Sequence, residues 1–462
     1  MKAWEKAKEI FQNESPVIMA DDNEVYWEEQ SSGPEEAQDM LTKIHWHSQV
    51  PGSRAHEMTC NSAIQATENK GYIVEDGMEL VDKGLKAYDE GNMVDLHKYE
   101  QDIFNACYAA KKDEDSPYWK QTFYDSFEDY EKAVDLPKYE VDLEGAYDRF
   151  YAGWLSQIIG GAYGTCLEGN TGRAIKEFYG GEVTKYVRKP NTYNDDITYE
   201  LCLLLAYKEK GKETTAYDIA REWAARIPSG WSAEEWALNN LKVGILPPES
   251  GRFHNPFNEW IGAQMRGTVC GQLYPGDLKM AARCAWMDAS ISHDRNGILG
   301  EVFNALMASL AFVKSDTREI VKECIDLIPA DSEYGQAIRF AYEQCLLHDN
   351  YYDAWLPCEK KLERYNWIHA YPNAAAEVVA MYFGENDFVK TLSICGGCGE
   401  DVDCNAAQIM TILGTIIGSE NIPQYYKEPF GDRLDTYVRG IKVMSIKELA
   451  EDTWKLAREL KG

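Results

Sequence analysis

The chain has 462 residues, 45% of them hydrophobic, which excludes a disordered polymer and allows roughly two or three domains. Seventy-seven acidic residues against 47 basic ones leave a formal net charge of -30, which excludes nucleic-acid backbones and anionic membranes as primary partners. The 12 cysteines are scattered through a long, core-rich chain, so they read as reduced thiols and not as a disulfide scaffold.

The first residues, Met1-Lys2-Ala3-Trp4-Glu5, lack the apolar stretch of a signal peptide. The longest uncharged apolar run, Ala406 to Gly418, is too short for a bilayer span. The expectation is a cytoplasmic protein without a membrane partner. Residues 1–145 read as a separate block, mostly helical and rich in acidic and aromatic residues, suited to a lid or a recognition surface and equally to a stabilising appendage or an oligomer contact. Within it His45-Trp46-His47 reads as a strand with metal-like spacing, and a core or surface role is the better account of it. A helical hairpin follows, Met78 to Tyr88 and Val94 to Ala110, turning at Asp89-Glu90-Gly91-Asn92. After an acidic aromatic segment, Tyr118 to Val134, Leu136-Pro137 marks a boundary.

From Ala146 onward glycine and alanine recur at helical spacing, which lets helices approach closely, and alternating strand patterns are scarce. The sets Ile219, Trp223, Ile227 and Val302, Leu306, Leu310, Val313 have the helical period. The chain reads as all-α, a compact helical domain over 146–462 preceded by the helical extension.

Two acidic clusters stand out. Asn194-Asp195-Asp196 follows a loop and leads into the apolar run Leu201 to Ala206. Asp401-Val402-Asp403 follows Gly396, Gly397 and Gly399 and leads into a helix that starts near Asn405 and is uncharged for over three turns. Each can be an ordinary acidic helix start, favoured by the macrodipole. Each can equally be half of a site for a hard cation, which takes oxygen ligands and would offset the cost of burying a carboxylate. Cys395-Gly396-Gly397-Cys398 lacks the second Cys-x-x-Cys of a zinc site, and it reads as small residues filling a tight loop. His293, between two apolar helices, reads as a cap. No Gly-x-Ser-x-Gly elbow or phosphate-binding P-loop occurs.

In order, the motifs from about Ala146 to the C-terminus resemble the ADP-ribosylglycohydrolase family. A glycine-rich helix ends in a glutamate, Gly160-Gly161-Ala162-Tyr163-Gly164-Thr165-Cys166-Leu167-Glu168. The family's Thr-Asp-Asp-Thr is matched by Asn194-Asp195-Asp196-Ile197, its Met-Arg and Pro-Gly by Met265-Arg266 and Pro275-Gly276, and its Thr-His by Ser292-His293. Its Gly-Gly-Asp-Thr-Asp-Thr is matched by Gly399-Glu400-Asp401-Val402-Asp403-Cys404. The tail Ile446 to Thr453 is also similar.

The resemblance implies a helical domain with a two-Mg²⁺ centre (Mn²⁺ or Ca²⁺ as alternatives) that cleaves a glycosidic bond at the anomeric carbon of ADP-ribose. It implies Asn194, Asp195, Asp196, Asp401, Asp403 and Cys404 as metal ligands, Glu168, Asp196 and Asp403 as catalytic, and Glu168, Arg266 and His293 as substrate-binding. The departures remove hydroxyls at Ile197 and Val402 and put a soft donor at Cys404. The substrate is accordingly an ADP-ribosylated molecule or small riboside, a nucleoside or modified-nucleobase riboside on the same scaffold, or none in a non-catalytic member; the oligomeric state is left open.

Overall fold

The computed structural model describes residues 1–16 and 27–461. Every strand among them is two residues long and the rest of the regular structure is helical, so the all-α expectation holds.

Two hydrophobic clusters organise the molecule. The smaller one lies wholly in the N-terminal block and centres on Trp46, Ile64, Val81, Leu96 and Ile103. The hairpin around it spans Gly77–Glu90 and Met93–Tyr108. Gly91 ends the first helix at φ 67, a left-handed position natural for glycine, and Asn92 starts the second by accepting the Asp95 backbone N–H at 3.2 Å. Gly84 lies flat against the Trp46 indole, which overlaps the space a Cβ would need.

His45 and Trp46 end the Trp27–Trp46 helix, correcting the strand reading; three alternating residues carry too little periodicity to separate a strand from a helix end. Trp46 is core, and His45 sits between Glu100 of the same block and Glu235 of the larger domain. The acidic aromatic segment is a short turn, Pro117–Lys120, and one helix, Phe127–Ala133. It does not belong to the N-terminal core. Phe127, Tyr130, Val141 and Leu143 join the main cluster, and Tyr130 lies against Trp286 (centroids 5.8 Å apart) while its hydroxyl donates to Leu327 O at 3.0 Å.

The main core is built around the crossing of the helices Tyr147–Gly164 and Val402–Ile417. They run antiparallel with backbones in contact. A Cβ at Gly160 would overlap the Ala406 carbonyl, one at Gly164 the backbone of Asp403, and one at Gly414 the Ser156 side chain. This row of small residues brings the start of one helix and the end of the other together, and the acids sit at that end.

Gly160→Val should cost about 1–3 kcal/mol or prevent folding, because neither backbone can move aside; thermal unfolding followed by circular dichroism checks it. His45 gives a pH prediction. Burial works against its charge, yet hydrogen bonds and charge attraction from Glu100 and Glu235 prevail and raise its pKa from 6.5 to about 9. A raised folded pKa contributes stability that is fully present below 6.5 and lost as pH rises through about 9. His45→Gln should therefore lower the melting temperature at pH 6 and have little effect above pH 9.5 or so.

Candidate active site

Three chain segments meet at the glycine-lined end of the helix crossing. In the first, Asn194 caps the Asp195–Lys210 helix, its Oδ1 accepting the Asp196 N–H at 2.7 Å. The loop before it is pinned by Thr192, whose hydroxyl donates to Asp435 O at 2.9 Å and accepts from Asp435 N at 2.7 Å. Capping leaves Asp195 half-buried and turns Asp196 fully into the interior.

In the second segment, Phe388–Cys398 is a helix, so Cys395, Gly396, Gly397 and Cys398 form its last turn and not the loop expected from their glycines. Gly396 and Gly397 are close-approach positions, facing the hydroxyls of Tyr163 and Tyr351. The break itself is confined to Gly399 (φ 78, ψ -143) and Glu400 (φ 67), and the next helix begins already at Val402, with Asp401 in the capping position. Burial pushes both Cys395 and Cys398 well above the usual thiol range, which makes them inert packing residues.

The third segment carries Glu168, one turn past the end of the Tyr147–Gly164 helix. Its backbone N–H donates to Gly164 O at 3.1 Å. The following Gly169 donates to Glu400 O at 2.9 Å, and Asn170–Thr171 pairs with Gly399–Glu400. The Glu168 turn is thus stitched to the Asp401 turn by backbone bonds.

The result is five carboxyls in one place. Asp401 and Asp403 lie within hydrogen-bonding reach of each other, as do Asp403 and Glu168. Burial, then the neighbouring Asp403, Asp401 and Asp195, hold Glu168 well above the carboxylate range. Burial and then Asp195, Asp403 and Asp401 do the same to Asp196. Asp401 is raised by burial and Asp403, and Asp195 is pushed up to about 6, again by burial and Asp403. Asp403 is raised by burial too, with backbone N–H groups of Cys404 and Asp403 opposing. Repulsion of this kind is relieved either by protons or by a cation between the oxygens.

The donor set suits a cation. Asp196 is the one carboxylate among the described residues with both oxygens buried and without a hydrogen-bond partner. Oδ1 of Asp401 and Oδ1 of Asp403 are also buried and unpartnered. One ligand atom each from Asp401, Asp403 and Cys404 falls within a 4.8 Å sphere of mutual distance. Carboxylate oxygens are hard donors, matched to a hard divalent ion. The Cys404 thiol is kept protonated by burial and by Asp196, Asp401 and Asp403, and it packs 3.7 Å from the Met265 sulfur.

Several expected residues lie elsewhere or do other work. Arg266 is fully buried, its guanidinium held by Asp288 (2.5 Å) and Glu234 (2.9 Å), with Glu301 at 3.6 Å. His293 is fully buried as well. Its Nε2 accepts the Ala263 N–H at 3.3 Å, Nδ1 lies 2.8 Å from the Ser292 hydroxyl, and burial followed by Arg266 drives its pKa well below 6.5. Neither side chain reaches a surface open to a ligand, so both are core residues and the substrate-binding expectation is corrected for them. The Oδ1 of Asn194 is engaged as a helix cap. Ile197 and Val402 are core residues too, and apolar burial is what they provide at those positions.

Two site residues escaped the sequence reading. Asn373 Oδ1 accepts the Asp401 N–H at 3.0 Å and the Asn405 side-chain N–H at 2.7 Å, and its own amide donates to the carbonyls of Trp367 and His369. An amide in the apolar stretch Tyr371 to Ala376 was the available signal. Tyr437 lies near enough to Asp195 and Asp196 for their charges to raise its phenol, after burial. Nothing in its local sequence sets it apart.

The family model for ADP-ribosylglycohydrolase matches residues 142–461, and the chain belongs to that family. Membership carries a glycohydrolase-type function. An uncharacterized protein of Archaeoglobus fulgidus is 26% identical over 296 residues, 60% of this chain and 90% of that one. A solved ADP-ribosylglycohydrolase-related protein complex aligns at TM-score 0.48 and 16% identity, covering 69% of this chain and 99% of its own.

Asn373→Ala should unfasten the Asp401 turn. It leaves a buried N–H without an acceptor, at a cost of about 1–3 kcal/mol, read as a lower urea midpoint with an unchanged m-value.

Proposed function

We propose that the protein is a magnesium-dependent glycohydrolase that cleaves the bond between the anomeric carbon of an ADP-ribosyl group, or a related N-riboside, and its leaving group. What carries this reading is the set of buried oxygens without partners on Asp196, Asp401 and Asp403, close enough to feel one another's charge, in a member of a glycohydrolase family.

Asp195, Asp196, Asp401 and Asp403 would hold the ions, which when bound supply Lewis acidity toward ribose hydroxyls and water. The residues of the chain supply the rest. Asn373 fixes the Asp401 turn and so sets where its carboxylate stands. Glu168, beside Asp403, would give a proton to the departing nitrogen or oxygen and take one back from water. Among the described residues no helix is long and apolar enough to cross a membrane.

Two outcomes are expected. Mg²⁺ at 100 times its dissociation constant should add about 2.7 kcal/mol to stability, seen as a raised melting temperature that Asp403→Ala abolishes. In a panel of ADP-ribosyl-arginine, ADP-ribosyl-serine peptide, NAD and nucleosides read by mass spectrometry, one member should release ADP-ribose or ribose. Chelator and Asp403→Ala should remove that signal, and Glu168→Gln should lower it by roughly 10²–10⁴-fold. Metal-independent turnover, or no product from any member, would count against the proposal.

A further inference from the structure

A cavity of about 370 Å³ shares no lining residue with the acidic cluster. It opens at the junction between the N-terminal block and the larger domain. One wall is Lys70, Tyr72, Phe104 and Tyr108; the other is Trp236, Arg252, His254 and Arg295. Cavities of this size with aromatic walls and a few polar groups are where small molecules bind.

Charge makes the site unusual. In a chain with net charge -30, its lining holds three basic side chains, Lys70, Arg252 and Arg295, against two acids, Glu259 and Asp294. Both acids are already engaged. Asp294 accepts from Arg252 at 2.9 Å and faces Arg295 at 3.7 Å. Glu259 accepts from Tyr118 (2.8 Å) and Asn296 (3.1 Å), and burial pushes it up to about 7. Lys70 differs. Its ammonium donates to two neutral oxygens, Pro256 O at 2.8 Å and Asn258 Oδ1 at 2.9 Å, and among the described residues it makes no ion pair. Those two bonds use two of its three N–H groups. Glu259 and Asp294 attract this ammonium but neither pairs with it, so its third N–H is left for an anion from outside. Burial, opposed by the charges of Glu259 and Asp294, lowers Lys70 to about 8, so it is still charged at neutral pH.

The walls define the other half of the ligand. Tyr108 stacks on His254 at 3.6 Å and is still 66% exposed. Phe104 and Trp236 pack against each other at 5.0 Å. Flat faces of this kind favour a flat ring over an aliphatic chain. We propose that this cavity is a second ligand site, separate from the acidic cluster, for a small aromatic anion: a flat ring bearing one phosphate or carboxylate that pairs with Lys70.

The test is calorimetric titration of the full chain with AMP, benzoate and inorganic phosphate, in the presence of a chelator so that the acidic cluster cannot contribute through metal. AMP or benzoate should bind, and which one binds tighter identifies phosphate or carboxylate as the anionic group. Lys70→Met should weaken that binding about tenfold or more. Tyr108→Ala, at an exposed position that leaves folding intact, should weaken it about fivefold or more and covers the case in which Lys70→Met does not fold. Either probe failing to bind at roughly millimolar concentration is compatible only if the other binds; failure of both overturns the proposal. So does binding that neither substitution weakens, or inorganic phosphate binding as tightly as AMP with benzoate silent, which would leave the aromatic walls without a role.

Discussion

Mutual repulsion among five buried carboxyls is the constraint on which the architecture turns. Asp195, Asp196, Asp401, Asp403 and Glu168 would drift apart if their backbones could move, because each is raised by burial and most of them by one another. They cannot. Gly160 and Gly164 put two helix backbones in contact, and the Asn170–Thr171 pairing with Gly399–Glu400 ties the loops at their ends. The main core is therefore what concentrates the charge, and the stability of that core is spent on holding groups that oppose it.

The N-terminal block meets this core through apolar surface, with Phe127 and Tyr130 inside the main cluster and Phe104 against Trp236, and through polar contacts as well. Its own cluster around Trp46 stays separate. Across the junction His45 meets Glu235, and Lys70 meets Pro256 and Asn258. Gln65 donates to Arg364 O at 2.9 Å. At its loop Gly52 and Ala55 press on Thr165 and Gly169, the residues that flank Glu168.

How much of this was legible beforehand depended on whether the signal was local. The hairpin was legible because Gly91 and Asn92 encode their own turn, and the Asp195 helix because Asn194 and the two acids encode its start. The family motifs gave the ligand candidates their order along the chain. The Cys395 to Cys398 turn was misread because glycines that serve close approach to Tyr163 and Tyr351 look like glycines that serve a loop. Asn373 was missed because its role is to satisfy a backbone N–H 28 residues away, and no local pattern encodes that. Arg266 and His293 kept their motif positions, but only the packed structure shows that both face inward.

Arg266 also supplies the comparison that gives the acidic cluster its meaning. Two groups of acids are buried in the same core. Glu234, Asp288 and Glu301 surround Arg266, whose guanidinium also lies over the rings of Trp223 (4.8 Å) and Tyr199 (5.4 Å). There the chain brings its own cation, and the group is a closed structural unit whose charges are met by side chains. Around Asp196 no lysine or arginine makes an ion pair among the described residues, although burial is as deep and the acids are more numerous. A fold able to place an arginine in one acidic nest and leaving the other without one makes the second dependent on something from solution. That asymmetry, more than the acidity itself, separates a site from a buried salt bridge.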